Sequence, residues 1–241
     1  MKIVVLYVCV TQGGITRDLA ARFVGTYQAF PPEAEHSLLV VCNGGPPATD
    51  IGLVFLGLDP QFYPRENDAS WDIGAYQAGA RGPAADADIL VCLGESVYFH
   101  RAGWLRRVVE AWTKYGAGMY GFFSSNLVRP HMNTTGFATS PVLLRDYPKS
   151  ITTHHDRYEF EHGERAFWRY VHGRGMPTKL LTWDGEWDPF LWRYPANILW
   201  RGDQSNCLVL CNHTERYDLA PPDTRRVWAR GADSPPMQGF A

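Results

Sequence analysis

The apolar positions of this chain fall into short unbroken runs, and the stretches between them repeat their apolar residues every three or four positions. Residues 1–10 (MKIVVLYVCV) form the first run. They are too few to span a membrane, begin at once and lack a cleavage site, so they predict a buried strand rather than a signal peptide. Thr11-Gln12-Gly13-Gly14 predicts a turn and Thr16 a helix cap, with Leu19, Phe23, Val24 and Tyr27 facing inward until Pro31-Pro32 ends the helix. Residues 37–42 (SLLVVC) are a second run closing on Asn43-Gly44-Gly45, and residues 53–56 (LVFL) predict a third strand. Strand, helix, strand in this rhythm predicts parallel pairing through right-handed crossovers.

Residues 65–96 organise the rest. A polar loop from Arg65 leads through Trp71-Asp72-Ile73-Gly74 into a helix of small residues, then into 89–93 (ILVCL), which ends at Gly94-Glu95-Ser96. In an open α/β sheet ligands collect at the carboxyl ends of strands, so an acid just past such a run is placed to meet a metal or a polar substrate. Trp104, Leu105, Val108, Val109 and Trp112 trace one face of a helix over about 101–115, and 119–123 predicts another strand. Beyond it the rhythm loosens. Residues 133–139 are polar and glycine-broken, 161–172 predicts a helix with Phe167, Tyr170 and Val171 inward, and 178–182 and 206–210 predict late strands. The expected fold is α/β, one domain over 1–220, with a mostly parallel central sheet and helices on both faces. Its halves divide near residue 125, and 221–241, rich in proline and glycine, is expected as an extended tail.

Composition narrows the function. The chain has 241 residues, enough for one large α/β domain, and a net charge of -2 with no block of like charge, which argues against an electrostatically held nucleic-acid partner. No run reaches the roughly 20 apolar residues of a transmembrane segment. Five cysteines, four of them in or beside apolar runs, read as buried free thiols of a reducing cytoplasm. Cys207 and Cys211 with His213 lack the second ligand pair of a zinc finger. The glycine fingerprint of dinucleotide sites, the phosphate loop and the nucleophile elbow are all absent, which leaves polar and acidic residues at strand ends: Asn43, Asp72, Glu95, Asp203 and His213.

The order of a strand ending in Asn43-Gly44-Gly45, a further strand, a loop with Arg65 and Asn67, Asp72-Ile73-Gly74-Ala75, a helix, and a strand ending in Gly94-Glu95-Ser96 resembles the nucleotide-binding half of GT-A glycosyltransferases. It is most similar to the branch related to rhamnan synthesis and surface polysaccharide biosynthesis. The likeness covers about residues 1–145 and rests on order and spacing. It implies a nucleotide-sugar donor, a glycan or other hydroxyl acceptor, and a divalent cation, Mn²⁺ or Mg²⁺, that neutralises the departing diphosphate as a Lewis acid. It implies Asn43, Arg65, Asp72 and Glu95 on the donor side, Glu95 and a late histidine, His213, on the metal, and Glu161 or Asp203 as the catalytic acid or base. Where the family has a pair of acids at the end of the fourth strand, this chain has Glu95 alone, so Arg or Lys side chains are a second means of neutralising the phosphates.

Each residue has a plainer reading. Asp72 could cap the helix it precedes, Asn43 could form a turn with its glycines, Arg65 and His213 could be surface residues, and Asp203 could be a turn residue. His154-His155-Asp156 reads as structural. Two other functions compete: a sugar nucleotidylyltransferase, because Gly13-Gly14-Ile15-Thr16-Arg17 partly resembles the glycine-rich turn of those enzymes, and an inactive GT-A-like protein that binds nucleotide or glycan without turnover.

Overall fold

The computed structural model of the chain describes residues 1–11, 16–66, 70–126 and 129–233. Its strands are β1 (Ile3–Val10), β2 (Ser37–Asn43), β3 (Gln61–Arg65), β4 (Ile89–Leu93), β5 (Met119–Gly121), β6 (Ser124–Ser125), β7 (His131–Met132), β8 (Gly136–Thr139), β9 (Thr178–Leu181) and β10 (Glu186–Trp187). Its helices are α1 (Thr16–Ala29), α2 (Thr49–Val54), α3 (Trp71–Arg81), α4 (Trp104–Tyr115), α5 (Pro141–Arg145), α6 (His154–His162), α7 (Phe167–His172), α8 (Asn212–Leu219) and α9 (Pro222–Asp233). Eight strands form one sheet in the order β10-β9-β5-β8-β4-β1-β2-β3, and β6 and β7 pair apart from it. The run from β3 through β2 and β1 to β4 is parallel throughout, as is β5 with β9. Between these parallel blocks, β8 runs antiparallel to both β4 and β5, and β10 closes the edge antiparallel to β9. The fold is the expected α/β class with a mostly parallel sheet.

β1 shows why helices cover both faces. Neighbouring side chains on a strand point to opposite sides. Tyr7 stacks on Phe23 of α1 with ring centroids 3.9 Å apart, whereas its neighbour Leu6 packs against Gly79 of α3 so closely that a Cβ there would collide with Leu6 Cδ1. Helices α1 and α3 therefore lie on opposite faces, and β1 and β4 between such layers are buried along their length, which is why both read as unbroken apolar runs.

Several elements differ from the sequence reading. Residues 53–56 are not a strand: Ile51 and Phe55, four apart, are buried while Leu53 and Leu56 are exposed, the pattern of a short amphipathic helix and its following turn. The third strand is β3, whose Pro64 suits the sheet edge, where a missing N–H is tolerated. The helix expected over 161–172 is two helices, because α6 stops at Gly163. Residues 206–210 make only isolated bridges, Cys207 with Thr182 and Leu210 with Tyr98, in place of a strand. The tail expected to be extended from residue 221 is helical through α9. The glycine turn at Gly13 to Ile15, the loop residue Asn67 and residues 234–241 lie outside the described residues.

Candidate active site at the carboxyl ends of the central strands

The chain builds β1, β2 and β3 outward in one direction, then returns to place β4 on the other side of β1. That reversal is a topological switch point, and the crevice outside the carboxyl ends of strands at such a point is where open α/β sheets bind ligands. Four candidate residues stand there. Asn43 ends β2, fully buried, and its side-chain amide donates to the backbone carbonyl of Trp71 (3.3 Å) while its Oδ1 accepts from Arg65 Nη1 (2.9 Å). Arg65, at the end of β3, also donates to Ser70 Oγ (3.2 Å), and its carbonyl accepts from the backbone N–H groups of Gly44 and Gly45. Asn43 and Arg65 thus clamp the turn that enters α3. In that turn Trp71 adopts a left-handed backbone (φ 48°) and leaves its indole half in solvent, with the Arg157 guanidinium 4.0 Å over the ring and His154 edge-on to it. A bulky residue held at positive φ is strained, and strain of this kind persists where surrounding contacts over-determine it.

Asp72 lies in the first turn of α3, not at its cap, which is Ser70. Its carboxylate presses against the end of β4: a Cβ on Gly94 would lie 2.6 Å from Asp72 Oδ2, so any side chain there would push the carboxylate aside. Burial first, and then the charge of Glu95, push the Asp72 carboxyl up to about 7, Arg157 opposing and Glu161 adding to the rise. Glu95 is half-buried and burial raises it too. Its backbone is fixed by Tyr7 Oη, which donates to the Glu95 carbonyl (2.8 Å), and by the Gly94 N–H, which donates to Thr135 O (2.8 Å). Two carboxyl groups stand close together here, and the charge of Glu95 makes Asp72 harder to ionise.

The second half of the chain supplies the facing wall. Glu161, near the end of α6, accepts through Oε2 from the backbone N–H (2.9 Å) and the hydroxyl of Thr134, and its Oε1 lies 2.9 Å from His162 Nε2. His131 on β7 packs against His162 with ring centroids 4.0 Å apart, and its Nδ1 is 2.8 Å from the carbonyl of Arg129. Burial pushes the Glu161 carboxyl up, but the hydrogen bond from His162, the neighbouring histidines and Thr134 prevail and hold it well below the usual carboxylate range. Burial lowers His131, so its imidazole is neutral at pH 7. His131, Glu161 and His162 offer ligand atoms within 4.8 Å of one another, a group that could hold a metal ion. A cavity of about 210 Å³ lies against this wall, lined by Ile73, Thr134, His154, Arg157, Tyr158, Glu161 and His162.

His213 is half-buried in the first turn of α8, beside Trp200. Burial lowers its pKa, and the charge of Glu161 acts to raise it. It is not in the three-residue group with Glu161, and neither is Glu95. Asp203 is exposed and accepts from the backbone N–H and hydroxyl of Ser205, the work of a turn residue, and the structure does not bring it together with the other acids. Asp156 of the His154-His155-Asp156 run caps α6 with Thr153 and pairs with Lys149 (2.6 Å), as a structural reading requires. The residues the sequence did not single out are Trp71, Thr134, His131, Arg157 and His162. No spacing pattern joins them, since β7 and α6 meet only through the fold.

No family model and no curated protein sequence matches this chain. Among solved structures it is similar to residues 1–349 of TarS from S. aureus in complex with UDP, at 12% identity over 65% of this chain and 53% of that chain, with a TM-score of 0.47. It is similar to the mannosyltransferase PcManGT from Pyrobaculum calidifontis in complex with GDP-Man and Mn²⁺, at 10% identity, covering 64% of this chain and 50% of that one, with a TM-score of 0.45. A cytidylyltransferase from Leptospira borgpetersenii matches at 13% identity over 67% of this chain and 68% of that one, with a TM-score of 0.45. This chain spans about half the length of the first two. No helix among the described residues is long and apolar enough to cross a membrane.

Proposed function

We propose that the protein is a glycosyltransferase of the GT-A type that moves a sugar from a nucleotide-diphosphate sugar to a glycan or other hydroxyl acceptor, in surface polysaccharide biosynthesis and in the cytoplasm. The observation that carries this reading is that Asn43 and Arg65, at the ends of β2 and β3, hold the turn that enters α3, whose Asp72 lies close enough to Glu95, just past β4 on the other side of the switch point, to feel its charge. The carboxylates of Asp72 and Glu95 offer the oxygen donors that Mg²⁺ or Mn²⁺ prefers, and the repulsion that Glu95 exerts on Asp72 is what such a cation would relieve. Glu95 and Asp72 would hold it, and bound there it would neutralise charge on the leaving diphosphate. Asn43 and Arg65 shape the wall of the donor pocket by fixing the Ser70-Trp71 turn, and the exposed indole of Trp71 is a flat surface on which a base or sugar face can stack.

The cavity beside Glu161 takes the acceptor side in this reading. Glu161 was, after Asp203, one of the candidate bases, but a carboxylate held so far below neutral pH is a weak proton acceptor, and we assign it an electrostatic role. The test is product analysis with purified protein and a panel of nucleotide-sugars. Release of a nucleoside diphosphate that depends on acceptor and is lost in Glu95→Gln supports the transferase. Pyrophosphate from a nucleoside triphosphate and a sugar phosphate would show a nucleotidylyltransferase instead, and binding without turnover an inactive relative.

A further inference from the structure

His131, Glu161 and His162 come from two segments far apart in the chain, yet their ligand atoms lie within 4.8 Å of one another against the acceptor-side cavity. We propose that they form a site for a borderline divalent transition metal, Zn²⁺ being the ion it suits best, separate from the all-oxygen site at Asp72 and Glu95. Ligands that share an ion at bond lengths of about 2.0–2.2 Å stand roughly 3–4 Å apart, and the 2.9 Å between His162 Nε2 and Glu161 Oε1 is close to that spacing.

The surroundings are those of a metal site as well. The Nδ1 of His131 is engaged by the Arg129 carbonyl, which fixes the ring and its tautomer and turns the other nitrogen toward its neighbours. Glu161 is oriented by two bonds from Thr134 to one oxygen, leaving the other beside His162. His162 keeps Nδ1 buried without a hydrogen-bond partner. Two imidazoles packed at 4.0 Å beside one carboxylate bring three ligand groups to one point, where a single cation can be held by all of them. A shared cation gives the cluster a reason.

Two imidazoles and one carboxylate select for Zn²⁺, Co²⁺ or Ni²⁺ over Mg²⁺, whose ligands are oxygens. Three protein ligands also leave a coordination position open, and Glu161 and His162 both line the cavity, so that position meets whatever hydroxyl-bearing molecule enters it.

The experiment titrates the chelator-treated full chain with Zn²⁺ alone in a calorimeter and with Co²⁺ alone in a visible spectrometer, no nucleotide being present. Failure of the proposed transferase activity therefore has no bearing on the result. One Zn²⁺ per chain, visible Co²⁺ bands of low coordination number, and affinity at least about a hundredfold weaker in His131→Ala and His162→Ala support the site. Binding that Glu95→Gln leaves intact supports its separation from the oxygen site. No stoichiometric Zn²⁺ binding, or binding kept by both histidine variants, overturns it. Zinc K-edge absorption of the wild-type complex needs no variant to fold: scattering from two imidazoles supports the site, and an all-oxygen or thiolate shell overturns it.

Discussion

Asp72 ties the electrostatics of the crevice to the stability of the fold. Its folded-state carboxyl is raised to about 7, so the unfolded chain gives up this proton first as pH rises. Below the ordinary aspartate range both states are protonated and the group is neutral to stability. Between that range and about pH 7 the folded state is progressively penalised, and above it the penalty is constant. Asp72→Asn should therefore melt at a higher temperature than the wild type at about pH 8, with the gap closing as pH falls toward about 4, as read by thermal unfolding across that range. A constant gap at every pH would show that the substitution acts through packing. Asp203 is the contrast: exposed and bonded only locally, its replacement by Ala should change stability by about 0.5 kcal/mol or less and leave nucleotide binding unchanged in a calorimetric titration. Its place between glycine and polar residues resembled a catalytic loop in the sequence, and a turn residue has the same local signature. Asp72 and Glu95 were legible because they follow or precede strongly patterned elements. His131 and His162 were not, because nothing local marks two histidines that only tertiary packing brings together.

At the scale of elements, the end of β4 and the start of α3 work as one unit. Gly94→Ala would drive its methyl into Asp72 Oδ2, the movable end of a side chain, while the backbone around it has room. The expected cost is about 1 kcal/mol of stability by urea unfolding, with a larger loss of donor affinity as Asp72 is displaced. Asn43→Ala removes a fully buried partner of both Arg65 and the Trp71 carbonyl, so it should cost about 1–3 kcal/mol in the same measurement and loosen the turn that carries Trp71. β1, β2 and β4 could be read from the sequence because central parallel strands are apolar on both faces. β3 could not, because an edge strand needs neither a continuous run nor an uninterrupted set of N–H donors, and its Pro64 argues against a strand by local rules. Residues 53–56 misled for the complementary reason: four apolar residues in a row satisfy a strand and a helix alike until their exposure is known.

Across the whole molecule, the parallel block of β3, β2, β1 and β4 presents Asn43, Arg65 and Glu95 at its carboxyl end, and the segments after β5 bring α6 and β7 together as a further wall. The fold class was legible from the rhythm of runs and helices. The antiparallel placement of β8 between β4 and β5 was not, since its short, polar-flanked sequence carries no direction. The most direct test of the central claim is the melting temperature of the full chain against nucleoside diphosphates and nucleotide-sugars, each with and without Mn²⁺, because a ligand that binds only the folded state raises it. A rise is expected for one class of nucleoside diphosphate that depends on Mn²⁺ and is lost in Glu95→Gln and Asp72→Asn. No rise with any nucleotide, or one that both variants retain, would contradict a donor site at the ends of β1 and β4.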